Sequence, residues 1–273
     1  MSRHAILEKD AMKVLKQTSR TFYIPIKLLN KTLRKTVGSA YLCMRAVDEI
    51  EDHEEMDAEV KKHLLIETSR LLKEDVFPRE AYQQLVAPHE NELPEVTLRL
   101  ADWIDFCPEA IQQKVKESTS EMAEGMAKWV EKEWNVETKE DLDEYTYYVA
   151  GLVGVMLSDI WDWYDGTKTD RDLAIGYGRG LQAVNILRNM DEDAERGVGF
   201  FPNDWSTKEM FAYAEANLQK ADEYMTQIST KNILLFCRIP LALAHKTLNA
   251  LKDGKEKMSR DEVEETVDKI INS

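Results

Sequence analysis

The stretch Tyr41-Leu42-Cys43-Met44-Arg45-Ala46-Val47-Asp48-Glu49-Ile50-Glu51-Asp52 decides the reading of the fold. Tyr41, Arg45, Asp48 and Asp52 fall at i, i+4, i+7 and i+11. At about 100° per residue that spacing is one face of a helix, with Glu51 beside it. Leu42, Met44, Ala46, Val47 and Ile50 are interleaved. One stripe of this helix is therefore made for a core, and the neighbouring stripe carries carboxylates. Carboxylates four residues apart repel one another unless something positive sits between them. Hard oxygen donors of this kind suit Mg²⁺, which often takes one or two carboxylates plus substrate phosphate oxygens. Taken alone, the cluster reads equally well as a solvated acidic helix end.

The same periodicity continues outward in both directions, and strand signals are scarce. The sequence predicts about ten helices. They cover about 5–17, 31–51, 57–72, 108–132, 139–163, 170–194, 208–229, 232–251 and 260–271. Ser19 to Pro25 reads as a break, and 76–94, with Pro78, Pro88 and Pro94, as the least regular region. Pro108 suits the first turn of the helix it opens, and Pro240 predicts a kink. No linker, repeat or low-complexity tract interrupts the chain, so a single domain over 1–273 is expected.

Three further constellations stand out. Gln182, Asn185, Asn189 and Asp193 share one helix face amid Leu181, Ala183, Val184, Ile186 and Leu187, with Arg188 adjacent. Buried amides need partners, which points to a polar cavity, a metal site or an interhelical hydrogen-bond network. In Tyr148-Val149-Ala150-Gly151-Leu152-Val153-Gly154, two glycines three residues apart weaken a helix, so something must approach closely there. A neighbouring helix and a bulky apolar ligand both satisfy that. Ser19-Arg20-Thr21-Phe22 places a cation, Arg20, at the break.

Bulk properties exclude several classes. A formal net charge of −15 repels nucleic acid and would also repel a diphosphate unless local cations or a bound metal met it. Three widely spaced cysteines argue against a disulfide framework or a cysteine-based zinc site and fit a reducing compartment. The N-terminus is not a signal peptide, and no apolar run approaches the ~20 residues of a membrane span. A cytoplasmic location follows as an expectation, with transient contact at a membrane surface still allowed and no obligate protein partner evident. No serine–histidine–aspartate, phosphate-loop or dinucleotide-binding pattern is present.

Taken in order, Ser19 to Phe22, Tyr41 to Asp52, Met122 to Ala127, Tyr148 to Gly154, Gly180-Leu181-Gln182 with Asn185-Ile186-Leu187-Arg188, and Phe236 to Pro240 resemble the motifs of the squalene/phytoene synthase family, the head-to-head prenyl transferases. The Asp-x-x-Glu-Asp form and Tyr-Val-Ala-Gly-Leu-Val-Gly are nearer to squalene synthases than to phytoene synthases. The resemblance implies an all-α isoprenoid synthase fold, a helical bundle with a central cavity. It implies Mg²⁺ as cofactor, with Asp48, Glu51, Asp52, Asn189 and Asp193 as metal-site positions. Ser19, Arg20, Phe22, Tyr41, Arg45, Gln182, Asn185 and Arg188 would bind substrate. Tyr148, Arg45, Asp48 and Asp52 would serve the reaction, in which an allylic diphosphate such as farnesyl diphosphate ionises.

Two departures accompany the resemblance. The family's second motif usually begins Arg-Asp, and here reads Arg188-Asn189-Met190-Asp191-Glu192-Asp193, so one anionic ligand is lost. Asp191 lies ~160° from that face and is a poor substitute. A usual arginine downstream is Val198, with Arg196 the nearest replacement. These losses point to a truncated reaction, hydrolysis of farnesyl diphosphate to farnesol by a prenyl diphosphate phosphatase. The alternatives are head-to-head condensation to presqualene diphosphate, dehydrosqualene or squalene, and a non-catalytic isoprenoid-binding or assembly protein.

Overall fold

The computed structural model describes residues 3–195, 197–255 and 258–272, with the side chains of Arg3, His4, Arg20 and Arg260 outside the description. Every regular element among the described residues is helical, as the periodicity requires. The chain divides into two compact units, residues 1–133 and 134–273.

The first unit holds α1 (Arg3–Thr18), α2 (Arg20–Leu28), α3 (Lys31–Glu51), α4 (Ala58–Leu72), α5 (Arg79–Val86), α6 (Glu95–Leu98), α7 (Leu100–Phe106) and α8 (Glu109–Glu131), with a 3₁₀ turn at Ala87–His89. Its centre is α3, which touches α1, α2, α4, α6, α7 and α8. Asn30 caps α3 by accepting from the Leu33 N–H at 3.1 Å. Leu42, Ala46, Val47 and Ile50 are fully buried. Each large one contributes about 1.5–3 kcal/mol by leaving water. Two hydroxyls fix the helix by satisfying carbonyls: Ser39 donates to Trp103 O at 2.7 Å and Thr97 to Ala46 O at 2.9 Å.

Three expectations differ from the structure. The predicted break at Ser19 to Pro25 is a single residue, Ser19, whose hydroxyl oxygen caps α2 by accepting from the Phe22 N–H at 2.9 Å. Pro25 removes one helical N–H, yet the buried Ile26 and Leu29 hold the segment helical around it. Pro108 is the N-cap of α8 and not a first-turn residue. The region around 76–94 is irregular only in part, because α5 forms within it.

The second unit holds α9 (Lys139–Thr146), a π-helical turn at Tyr147–Gly151, α10 (Leu152–Asp165), α11 (Arg171–Glu195), α12 (Thr207–Thr226), α13 (Lys231–Lys252) and α14 (Arg260–Ile271). Its centre is α11, which contacts α9, the π turn, α10, α12 and α13. Both glycines of the Tyr148–Gly154 stretch face α11: a Cβ on Gly151 would lie 3.1 Å from Ile175 Cγ2. A Cβ on Gly154 would lie 2.0 Å from Ala174 O, and one on Gly178 would lie 2.1 Å from Ala150 O. The close neighbour at Gly154 is therefore helix α11, seated backbone to backbone. Helix α13 is continuous through Pro240, and the Cys237 carbonyl ahead of it accepts from Tyr177 Oη at 2.8 Å. Cys43, Cys107 and Cys237 are free and buried. Among the described residues, no helix is long and apolar enough to cross a membrane.

Candidate functional site

In the first unit, α3 gathers the predicted residues at its C-terminal end. One ligand oxygen from each of Asp48, Glu51 and Asp52 lies within 4.8 Å of the others. Among the described residues this is the one group of acidic, histidine or cysteine side chains close enough to hold an ion. Glu51 is buried at 3% exposure, whereas Asp52 is open to solvent. Arg45 threads the cluster. Its guanidinium pairs closely with Asp48, reaches Glu49 at 2.6 Å and stands 4.0 Å from Asp52. Burial and the neighbouring Asp52 push the Asp48 carboxyl up to about 7, against the pull of Arg45. Arg45 itself is held more firmly protonated: its acidic partners outweigh the cost of burial. Three carboxylates converging on one point, one of them buried and one raised toward neutrality, are a donor set that fits a hard divalent cation.

Ser19, Phe22 and Tyr41 assemble around the start of α2. Tyr41 Oη donates to Thr18 O at 3.1 Å, and the Phe22 and Tyr41 rings sit 6.1 Å apart. Burial raises the Tyr41 hydroxyl, so it remains a donor. Arg20 lies in the first turn of α2, and its side chain is outside the described residues. Lys61 escaped the sequence reading. It is buried at 6% exposure, and its ammonium donates to Glu51 O at 2.8 Å.

In the second unit, α11 carries Gln182, Asn185 and Asn189, all half-buried, and Asp193, which is buried. Arg188 is exposed and donates from Nε to Asn189 Oδ1 at 3.1 Å. Asp191 is exposed, as its angle on the helix requires. Val198 closes the end of α11, its N–H donating to Asp193 O at 3.0 Å, and Phe200 stacks on Tyr145 with ring centres 4.7 Å apart. Arg196 lies outside the described residues.

Tyr148 sits in the π turn, half-buried, with its ring edge-on to Tyr147 at 5.4 Å. A single π turn inside a helix is a common device for re-aiming side chains at functional positions. The turn is braced by residues that the sequence did not mark. Arg179 donates to Asp143 O at 2.5 Å, Tyr213 Oη donates to the Asp143 carboxylate at 2.7 Å, and the Thr146 and Tyr213 hydroxyls are 3.2 Å apart.

The squalene/phytoene synthase family model matches residues 15–209. The chain belongs to that family. A squalene synthase of Eremothecium gossypii is 30% identical, with 93% of this chain and 64% of the relative covered. The chain thus spans a little under two thirds of the length of that relative. Among solved structures, a complex of TcSQS with the ligand E5700 matches with a TM-score of 0.76 at 24% identity, covering 95% of this chain and 84% of that one. A dehydrosqualene synthase in complex with ligand matches with a TM-score of 0.63 at 18% identity, covering 98% and 96%. These likenesses identify the fold as the all-α isoprenoid synthase fold expected from the motifs.

Proposed function

We propose that this chain condenses two molecules of farnesyl diphosphate head to head, giving a C30 product of the presqualene diphosphate, dehydrosqualene or squalene type. The observation that carries the proposal is the Asp48–Glu51–Asp52 group threaded by Arg45, in a chain whose family and relatives are prenyl transferases of this kind. The comparisons favour condensation over the hydrolysis to farnesol expected from the departures in the second motif.

Asp48, Glu51 and Asp52 would hold Mg²⁺, with Asn189 and Asp193 as a less anionic set on α11. Bound there, Mg²⁺ would offset the charge that develops on the departing diphosphate. Arg45, already oriented by its carboxylate partners, would present its remaining N–H groups to diphosphate oxygens. Backbone N–H groups at the start of α2, beside Ser19 and Arg20, point outward from the helix end and suit an anion. Phe22 and Tyr41 in the first unit, and Tyr148 in the second, each offer an aromatic face of the kind that suits an allylic cation. Gln182, Asn185 and Arg188 would order the second substrate by hydrogen bonds.

A second reading keeps one specific support. Asn189 is neutral where an aspartate is usual, and Val198 replaces a cation, which favours a one-substrate reaction in which water captures the farnesyl cation. Extraction after incubation with farnesyl diphosphate and Mg²⁺ separates the two: a C30 compound is expected, and farnesol as the main product overturns condensation in favour of hydrolysis.

A further inference from the structure

Lys61 stands where a lysine is out of place. Helix α4 buries Lys61, Leu64, Leu65, Thr68, Leu71 and Leu72. These positions form one continuous stripe at i, i+3, i+4, i+7, i+10 and i+11, the pattern of a core-facing side. A lysine on such a stripe is rarely buried unless it is paired. Its ammonium donates to the last carbonyl of α3, Glu51 O, at 2.8 Å, and lies in the electrostatic field of Glu51, Asp52 and Glu54. Burial pulls the ammonium below the usual lysine range, and these acids offset that only in part.

The arrangement has two physical consequences. A cation at the end of α3 complements the negative pole of that helix. More specifically, a buried Glu51 beside Asp48 and Asp52 is costly while no metal is present, because like charges crowd in a site with little water. Arg45 compensates the Asp48 side of the cluster. Lys61 compensates the Glu51 side. A fixed positive charge there also repels an incoming divalent ion.

Resting on the reading of Asp48, Glu51 and Asp52 as a metal site, we propose that Lys61 is its resident counter-cation, holding the cluster together without metal and weakening its affinity for a bare divalent ion. Metal would then be taken up well only together with a diphosphate, whose own oxygens complete the coordination. Lys61 is a positioning residue in this scheme, since it acts through the carboxylates and touches no reacting atom.

The test is Mn²⁺ binding to the full chain without substrate, followed by electron paramagnetic resonance and by the shift in unfolding temperature. Lys61→Met and Lys61→Gln remove the charge, and the glutamine keeps a donor for Glu51 O. Lys61→Arg keeps the charge, and Asp52→Asn reports on the site itself. The expected result is Mn²⁺ affinity on the order of tenfold higher in both neutral variants and unchanged in Lys61→Arg. The neutral variants should also melt lower without metal and gain more from Mn²⁺ than wild type does. Equal or weaker Mn²⁺ binding in the neutral variants, with Asp52→Asn losing binding, overturns the role of Lys61 and leaves the metal site standing. Binding that Asp52→Asn does not weaken overturns the metal site and this inference with it. Failure of both neutral variants to fold even in saturating Mn²⁺ also overturns it, because the metal should then replace the missing charge.

Discussion

The C-terminal end of α3 and the polar face of α11 bear the two acidic motifs, and they are built differently. On α3, three carboxylates converge; Arg45 pairs with Asp48, and Lys61 donates to the Glu51 backbone carbonyl beside them. On α11, the corresponding stripe is Gln182, Asn185 and Asn189 with one buried carboxylate, Asp193, and the adjacent cation Arg188 donates its Nε–H to the Asn189 amide oxygen. The first face is charged and internally compensated. The second is mainly a hydrogen-bonding surface. The lesson is that two motifs alike in spacing need not share the electrostatic work equally: metal affinity should be concentrated on α3 and substrate ordering on α11.

The sharpest way to break this comparison is to neutralise one carboxylate on each face. Asp48→Asn or Asp52→Asn should lower turnover of farnesyl diphosphate by about 10²–10³, the usual range for removing a group that stabilises developing charge. Asn189→Ala should cost much less, because an amide contributes little to holding Mg²⁺. Steady-state kinetics across a range of Mg²⁺ concentrations checks both, and comparable losses on the two faces would erase the distinction.

The helices differ in packing as well. A Cβ on Gly38 of α3 meets nothing nearer than 3.6 Å, whereas one on Gly154 collides with Ala174 O at 2.0 Å. Gly154→Ala should destabilise by about 3 kcal/mol or more, since backbone must move. Gly38→Ala should be near neutral or mildly stabilising through the helix propensity of alanine. Denaturant unfolding of the two variants measures the difference.

A subtler change would sharpen the α11 side. Asn189→Asp together with Val198→Arg restores one anion and one cation, and should raise the ratio of C30 product to farnesol severalfold, as read by chromatography of the extracts. No change in that ratio would show that these two positions do not set the partition.

The smallest expected effect concerns acid stability. Asp102 of the first unit is partly buried, which raises its carboxyl, but hydrogen bonds from Arg99 and Arg79 outweigh this and hold it low. Asp143 of the second unit behaves alike, with Lys139, Tyr213 and Arg179 outweighing burial. A carboxyl depressed in the folded state stabilises fully above its unfolded value of about 3.9 and loses that contribution as pH falls through the folded value. Both groups are partly open to solvent, so the effect is screened. Melting curves between neutral and strongly acid pH should therefore flatten on the acid side in Asp102→Asn and Asp143→Asn, each by a modest amount.

Much of the fold was legible because helices announce themselves by period and cap. The expected span 31–51 matches α3, whose Asn30 cap and apolar stripe stand plainly in the sequence. Ser19 to Pro25 misled because proline reads as a breaker, while burial of Ile26 and Leu29 decides the outcome and is a tertiary fact. The short α6 and α7 were missed, each being too brief to show a period. The π turn at Tyr147–Gly151 is invisible to a 3.6-residue template, and the Gly154 spacing showed that something comes close without saying what. Of the candidate site, the clustering of Asp48, Glu51 and Asp52 on α3 was readable from their spacing. Lys61 was not, although a lysine on the apolar stripe of 61, 64, 65 and 68 was the available signal.

The most direct test of the account is the fate of C1-labelled farnesyl diphosphate mixed with unlabelled material, incubated with the wild-type protein and Mg²⁺ and analysed by mass spectrometry. Condensation predicts a C30 product whose molecules carry zero, one or two labels in binomial proportion. Farnesol carrying at most one label, with no C30 species, would contradict it.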